Sequence, residues 1–265
     1  MTVSFKKFLI FLSLVLVISA SIMVFTIAPV PVNPGERGDF MTEQQWHDYQ
    51  SSFKIFYFHL PIAMTAYIAF AIMFLSSVIY LRTGGRTILN LQKQFNAQLW
   101  DFRAYSAAEV GVLFAALTLI SGSIWARSAW GVYWLWDVRL TTSLVVFLVY
   151  LSYLVLRQAI EGPEKRARLS AVFGVVGFMC VPLSFLSIRL WRAHHPLVIG
   201  GGGIHGTDVI FPLLLNLAAY ITLAVTLILI RIDNEKLRDR TEHLTTAYNA
   251  SRTTHSVCGN NSRLR

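Results

Sequence analysis

Charged residues are scarce in this 265-residue sequence, of which Asp, Glu, Lys and Arg make up only 14% and hydrophobic residues 55%. The mean hydropathy is +0.54. These values exclude an ordinary soluble domain and indicate a chain whose main solvent is lipid. The formal net charge is +9, but the basic residues flank apolar runs and do not line one face of a helix. This distribution argues against nucleic acid as a partner and favours a membrane protein in contact with lipid.

The sequence contains only two cysteines and lacks two common functional motifs. The two cysteines, Cys180 and Cys258, lie in an apolar run and in a polar tail, so the sequence does not favour a disulfide between them. There is no Cys-x-x-Cys-His sequence, which attaches c-type haem, and no Gly-x-x-x-x-Gly-Lys-Ser/Thr loop, which binds ATP. The sequence therefore gives no sign that this chain attaches haem covalently or hydrolyses ATP.

Six apolar runs approach or exceed the roughly 20 residues that a helix needs to cross a bilayer. They lie at about 8–28, 56–81, 105–124, 140–156, 169–188 and 209–230. The first follows Lys6 and Lys7 and is longer than the apolar core of a cleaved signal peptide, so we expect it to remain as a helix. The predicted fold is all-α: a six-helix membrane domain at 1–232, bent at Pro182, and a polar, partly disordered cytoplasmic tail at 233–265.

The distribution of basic residues predicts the orientation. Of the 23 Lys and Arg residues, 17 lie in the amino end, the two even-numbered connections and the tail, and six lie on the other side. The positive-inside rule then places both termini in the cytoplasm. It follows that the start of the second helix and the connections at 125–139 and 189–208 share the external face. The segment 29–54, rich in proline and acidic residues, is expected to be an external loop.

The external connection at 125–139 is unusually rich in aromatic residues. It contains four tryptophans and a tyrosine: Trp125, Trp130, Tyr133, Trp134 and Trp136. An interfacial belt needs only one or two such rings at each helix end. Flat ring faces side by side form a platform for a large flat ligand, and Gly131 removes a side chain where a ligand could approach closely. The alternative is an interfacial belt without a ligand.

Histidine and arginine are expected at the same face. His59 begins the second helix, and His194 and His195 follow the fifth; imidazoles from two segments can bind haem iron from opposite sides. Guanidinium groups pair with carboxylates such as the haem propionates, and the candidates are Arg127, Arg139, Arg189 and Arg192. Each residue alone has a simpler interpretation, because histidines at helix ends are often only hydrogen-bonded and arginines often anchor to lipid phosphate.

The spacing Trp130-Gly131, Trp134, Trp136-Asp137 resembles the WGxxWxWD signature of the haem-handling membrane proteins of cytochrome c maturation, in particular their component C, the haem exporter family. The segments at 56–61 and 191–196 are similar to the family's histidine segments. The resemblance implies that His59 and His195 are the axial ligands of the iron. His194, which replaces a usual leucine, is the alternative to His195. The residues expected around the haem are Trp125, Trp130, Gly131, Trp134, Trp136, Asp137, Arg139 and Arg192.

The resemblance also implies a function. Such a protein holds haem b transiently and non-covalently at the external face of the bacterial inner membrane and delivers it to a periplasmic haem chaperone. A small single-span helper protein and an ATP-binding-cassette complex are the other expected partners. The sequence shows no paired nucleophile and base, which favours a binding scaffold over an enzyme, although covalent attachment of haem to the chaperone could require this site. The alternatives are a subunit of the related haem lyases, which generally have more spans, and a small-molecule permease.

Two polar residues fall inside the predicted spans. Glu109 is close to one end of the third span, and we expect it to pair with a basic neighbour because an isolated charge is costly in the membrane. Asn216 lies in the sixth span, where an interhelical hydrogen bond is the expected role.

Substitution of the adjacent histidines distinguishes the two possible ligands. Alignment on Trp191 assigns the ligand to His195, so purified His194→Ala protein should retain haem and His195→Ala protein should lose it. The visible absorption spectrum measures both. The reverse pattern would assign the ligand to His194.

Overall fold

The computed structural model describes residues 3–30, 42–84, 91–191 and 207–261, and within these ranges all regular structure is helical. The helices are α1 (Val3–Thr26), α2 (Glu43–Ser52), α3 (Phe56–Gly84), α4 (Leu91–Trp130), α5 (Val138–Ala159), α6 (Pro163–Gly177), α7 (Cys180–Leu190) and α8 (Thr207–Asn261). A short 3-10 turn, Phe53–Ile55, joins α2 to α3. The predicted all-α fold is confirmed.

Six segments of the described chain are long and apolar enough to cross a membrane, as predicted. They are Ser4–Thr26, Glu43–Thr83, Ala97–Trp130, Val138–Ala159, Pro163–Ser187 and Thr207–Asn249. The fifth span is built from α6 and α7, which are separated by a break at Phe178 and Met179. The break therefore comes before Pro182, where a bend was expected. Pro182 lies in the first turn of α7, a position that tolerates proline because the early amides have no partner within the helix.

Part of the predicted external loop at 29–54 is helical. Helix α2 begins with a capping box, in which the Thr42 hydroxyl accepts from the Gln45 amide and the Gln45 side chain accepts from the Thr42 amide. None of its residues is buried. Its polar side chains lie beside an aromatic series, Trp46 and Tyr49, that continues to Phe53. This combination is typical of a helix lying at a membrane–water boundary.

The tryptophan-rich connection is shorter than the predicted 125–139. Helix α4 continues to Trp130, so Trp125 and Trp130 lie on its last turns. Gly131 then takes a left-handed conformation with φ of 75°, which ends the helix as glycine commonly does. Asp137 caps α5, because its carboxylate accepts a hydrogen bond from the Arg139 amide at 2.8 Å. Of the predicted connection at 125–139, only residues 131–137 lie outside the helices.

The polar tail also differs from the prediction, because α8 continues without interruption from the sixth span to Asn261. Ion pairs one turn apart, Arg231 with Glu235 and Arg238 with Glu242, support the extension. Two further contacts attach it to the bundle: Lys6 pairs with Asp233, and the Gln98 amide donates to Asp239 at 2.8 Å. These pairings, which the composition of the tail does not reveal, favour helix over disorder.

Helices α3, α4 and α5 pack closely at the centre of the bundle. The Phe70 and Tyr150 rings stack with centroids 3.7 Å apart. Gly111 permits this arrangement, since a Cβ atom there would lie 2.5 Å from Phe70 Cε1. The close packing fixes α3 against α4, the two helices that supply the site described below.

Two buried or half-buried ion pairs connect the helices at the end of the bundle opposite the tryptophans. Arg157 of α5 makes a bidentate pair with Asp101 of α4, with N–O distances of 2.8 and 2.5 Å. Arg231 of α8 makes a second with Glu109 of α4, at 2.6 and 2.8 Å. The predicted partner for Glu109 is thereby confirmed. Tyr105 lies between the pairs, with its ring 4.5 Å from the Arg157 guanidinium and 5.9 Å from that of Arg231.

Asn216, by contrast, makes no hydrogen bond to another helix within the described part of the chain, contrary to the prediction. Its side-chain amide donates to the Pro212 carbonyl of its own helix at 2.9 Å. The residue is buried, so this bond satisfies a donor that lipid and apolar neighbours could not.

Asp101→Ala should lower the free energy of unfolding by about 3–5 kcal/mol, because it leaves the buried Arg157 charge without its partner. Thermal unfolding of the detergent-purified protein measures the loss. Replacing both charges, as in Asp101→Leu/Arg157→Met, should recover most of it. Arg238→Ala is the matched control, since this exposed pair contributes about 1 kcal/mol or less. Equal losses in Asp101→Ala and the control would contradict the prediction.

Candidate functional site

A pocket opens between α3, α4 and α5 at the end of the bundle that carries the tryptophan-rich connection. Five of the residues predicted from the sequence border it: His59, Trp125, Trp130, Trp134 and Arg139. Small side chains and a glycine, among them Ala63, Gly122 and Ser143, form much of the remaining wall. The fold therefore brings together residues that are separated by 80 positions in the sequence.

His59 lies in the first turns of α3 and faces the last third of α4. Its Nδ1 atom is 2.9 Å from the Ser121 hydroxyl oxygen. The ring lies close to Gly122, where a Cβ atom would be 3.0 Å from His59 Cε1. A side chain at position 122 would therefore displace the imidazole, and glycine provides the space for it.

The tryptophan rings pack edge to face. The Trp125 and Trp130 centroids are 5.1 Å apart with an interplanar angle of 69°, and those of Trp134 and Trp136 are 5.8 Å apart at 79°. The expected platform of ring faces side by side is therefore replaced by two inclined pairs, a geometry that indole quadrupoles favour. Trp136 is 78% exposed and does not border the pocket.

The Trp134 indole nitrogen is buried and has no hydrogen-bond partner among the residues that the structure describes. A buried indole N–H usually donates to an acceptor. Because Trp134 borders the pocket, an acceptor on a bound ligand could satisfy this donor. The orphaned N–H is thus a feature of the pocket that a ligand would complete.

The predicted arginines have different positions. Arg139 borders the pocket; its guanidinium donates to the Ser184 carbonyl of α7 and lies 5.8 Å from the Tyr67 ring. Among the described residues the guanidinium has no other acceptor, so four of its five N–H donors remain for a ligand. Arg127 is exposed; it donates to the Gly131 carbonyl and lies 5.6 Å from the Tyr133 ring. It therefore stabilises the end of α4, away from the pocket wall.

Of the remaining predicted residues, three lie away from the pocket wall and three lie outside the described residues. Gly131 ends α4 and is exposed, and nothing lies within 4 Å of a Cβ built on it. Asp137 is buried as the cap of α5. Arg189 is exposed near the end of α7. Arg192, His194 and His195 lie outside the described residues, so the second predicted iron ligand has no position here.

An aromatic series from α2 extends the tryptophan cluster and was missed in the sequence. Successive ring centroids are 5.7 Å apart for Trp46 and Tyr49, 5.2 Å for Tyr49 and Phe53, and 5.8 Å for Phe53 and Trp125. Trp46, Tyr49 and Phe53 are three and four residues apart, a spacing that places the rings on one face of a helix. This spacing could have indicated a helix here. The prolines upstream led to the prediction of a loop.

Comparison with known proteins gives consistent matches. A curated protein of Bradyrhizobium diazoefficiens named Heme exporter protein C is 34% identical over 202 residues, which cover 74% of this chain and 72% of the relative. The protein of the same name from Paracoccus denitrificans is 32% identical over 205 residues, covering 76% and 80%. A mitochondrial protein of Marchantia polymorpha, described as ccmC-like and of cytochrome c biosynthesis, is 29% identical over 172 residues, covering 64% and 67%.

The sequence profile of the family described as Heme exporter protein C matches residues 2–247, nearly the whole chain. The relatives confirm the family that the sequence resemblance indicated, and the six apolar segments agree with a multi-pass membrane protein. This chain belongs to the Heme exporter protein C family.

Proposed function

We propose that this chain binds haem b as a transient, non-covalent cargo in the pocket between α3, α4 and α5 and delivers it to a periplasmic haem chaperone during cytochrome c maturation. The main support is the convergence of His59, three tryptophans of the aromatic connection and Arg139 on one pocket. The names of the relatives, which refer to haem export and to cytochrome c biosynthesis, agree with this cargo.

The chemistry of the lining residues fits a porphyrin. An imidazole can bind the iron, and Trp125, Trp130 and Trp134 offer apolar surface for the macrocycle. The carboxylates of haem need donors, and the Trp134 indole N–H and the Arg139 guanidinium are both available at the pocket wall. None of the described residues that border the pocket is a cysteine, which agrees with a cargo that is held without a covalent bond.

The second axial ligand is proposed to be His195, with His194 as the alternative. Support comes from the attachment of α7 to α5: the hydroxyl oxygens of Thr142 and Ser187 are 3.3 Å apart, and those of Ser143 and Ser184 are 3.4 Å apart. Ser143 also borders the pocket. Because Ser187 is only four residues before Trp191, the described end of α7 lies on the side of the bundle that carries the pocket. Arg192 is proposed to contribute to propionate binding from the segment that contains His195.

Delivery requires a surface that the chaperone can contact. Val132, Tyr133 and Trp136 are exposed apolar residues beside the pocket, and a contiguous apolar rim is typical of a protein interaction site. We place this face on the periplasmic side of the bacterial inner membrane, on the basis of the basic residues at the opposite side. The small single-span helper and the ATP-binding-cassette complex are the other proposed partners.

His59→Ala should remove or greatly weaken haem binding, because it deletes an axial ligand. The measurement is a hemin titration of the detergent-purified protein, followed by the Soret band and the reduced α and β bands. His47→Ala is the matched control, since this exposed histidine lies on α2, away from the pocket wall, and should bind as the wild type does. A titrated wild type whose spectrum stays that of free hemin would contradict the proposed function.

Trp134→Phe should weaken hemin binding about tenfold, because it keeps an aromatic ring but removes the N–H donor to a charged acceptor, worth about 1.5 kcal/mol. Trp136→Phe is the control for ring substitution, since its side chain is exposed outside the pocket. The dissociation constants from the same titration give the comparison. An unchanged constant in Trp134→Phe would exclude this N–H as a ligand contact.

A further inference from the structure

Tyr67 lies about one helical turn beyond the pocket wall, on the side of α3 that faces the pocket. His59, Ala63 and Tyr67 follow one another at intervals of four residues, a spacing that places them on one side of the helix. His59 and Ala63 border the pocket, whereas Tyr67 is not among the described residues that line it. The Tyr67 side chain therefore belongs to the layer of residues directly beneath the pocket.

Two contacts connect Tyr67 with the guanidinium of Arg139. The first is direct, since the guanidinium carbon lies 5.8 Å from the centroid of the Tyr67 ring. The second passes through Ser184 of α7. The hydroxyl oxygens of Tyr67 and Ser184 are 3.2 Å apart, and the Ser184 carbonyl accepts a hydrogen bond from the guanidinium. Residues of α3 and α7 thus support this group together.

Ser184 is a well-supported partner for the guanidinium, because three helices meet at its side chain. The residue is fully buried, and its hydroxyl oxygen also lies 3.4 Å from that of Ser143 on α5. The rings of Tyr67 and Phe185 add an edge-to-face contact between α3 and α7, with centroids 6.2 Å apart. Buried polar groups with partners on several elements make the local structure rigid. The Ser184 carbonyl is therefore an acceptor with a defined position.

An arginine that binds a carboxylate benefits from such support. The guanidinium is a planar fork, and its two parallel N–H groups must match the two carboxylate oxygens. The side chain is long and rotatable, so holding it in one orientation before the ligand arrives lowers the entropic cost of binding. Arg139 borders the pocket, and the Ser184 carbonyl is its one hydrogen-bond acceptor among the described residues. The remaining donors are thus available to a carboxylate in the pocket.

We propose that Tyr67 is a positioning residue, which holds the Arg139 guanidinium through its ring and through Ser184 and so preorients it for a carboxylate of the cargo. The inference rests on the proposed function, in which haem is the cargo and Arg139 supplies donors to its carboxylates. Tyr67 acts only through Arg139 in this role. It should therefore contribute to the preference for a ligand with free carboxylates and leave the affinity for the esterified macrocycle unchanged.

Hemin and hemin dimethyl ester distinguish this role from a general structural one, because esterification removes both carboxylate charges and keeps the macrocycle and the iron. Visible absorption titrations of the detergent-purified protein give both dissociation constants, and the ratio of the ester constant to the hemin constant measures the preference for carboxylates. The wild type should prefer hemin, and Arg139→Gln should lose this preference.

The Tyr67 variants should change the same ratio. Tyr67→Leu should lower it about threefold to tenfold, the range expected for the loss of a cation–π contact. Tyr67→Phe keeps the ring and loses the hydroxyl, so it should lower the ratio less. The dissociation constant of the ester should stay as in the wild type in both variants, because the ester has no carboxylate for Arg139 to bind.

Phe74→Leu is the matched control. Phe74 also lies on α3 and stacks on Phe178 of the fifth span, with ring centroids 4.4 Å apart, but it is not among the described residues that line the pocket. The control removes an aromatic contact between the same two spans, so it should leave the ratio as in the wild type. A fall in the ratio as large as that in Tyr67→Leu would overturn the inference.

The outcomes separate this inference from the proposed function. Equal binding of hemin and ester by the wild type, a wild-type ratio in Tyr67→Leu, or an equal loss of both ligands in Tyr67→Leu would overturn the inference and leave the iron site intact. Wild-type spectra that stay those of the free ligands would overturn the proposed function. If Tyr67→Leu does not fold, Tyr67→Phe and Ser184→Ala each break the hydroxyl contact and should lower the ratio. Unchanged ratios in both would refute the inference.

Discussion

The lipid environment requires almost every polar group of this protein to find its hydrogen-bond partner inside the molecule, since hydrocarbon offers none. The spans meet this requirement mostly within single helices. The hydroxyls of Ser13, Thr65 and Thr142 each donate to a carbonyl three or four residues earlier in the same helix. Among the described residues, the ion pairs between helices and the polar side chains of the pocket lie near the two ends of the bundle. The two ends differ in which polar groups they contain.

At one end, charges are paired with each other. Asp101 with Arg157 and Glu109 with Arg231 join α4 to α5 and to α8, and Tyr105 lies between the two guanidinium groups. Such pairs contribute little net stability when they are compared with apolar residues, but they are costly to break. They therefore fix the relative positions of three helices. At this end of the bundle the charged side chains therefore have a structural role.

At the other end, several donors are directed at a pocket. The Trp134 N–H has no partner among the described residues, and the Arg139 guanidinium uses one donor on α7 and borders the open space. His59 is held on one side by Ser121 and lies against Gly122. The structure thus leaves unused hydrogen-bonding capacity at the pocket in which we propose that haem is bound. The proposed transient binding agrees with a site that has few, well-placed contacts instead of a closed cage.

The sequence by itself determined the helical fold, the number of spans and the family, because apolar length and the spacing of five rare residues depend only on the order of the chain. It also predicted that His59, the tryptophans and Arg139 would meet, and that Glu109 would find a basic partner. It did not predict helix α2, the continuation of α8 beyond the membrane, or the role of Asp137 as a helix cap. These depend on local pairings that composition does not reveal.

Only the tertiary structure decided which residue on the neighbouring helix each functional side chain contacts. The periodicity of a helix defines its faces, but the rotation and height of one helix against another follow from packing over the whole bundle. Ser121 and Gly122 are ordinary residues of an apolar run, and nothing in the sequence connects them to His59, which lies 62 positions before Ser121. The same reason explains why Arg139 bonds to the backbone of α7 and why the Trp134 N–H remains without a partner among the described residues. These contacts exist only once α3, α4, α5 and α7 are packed together.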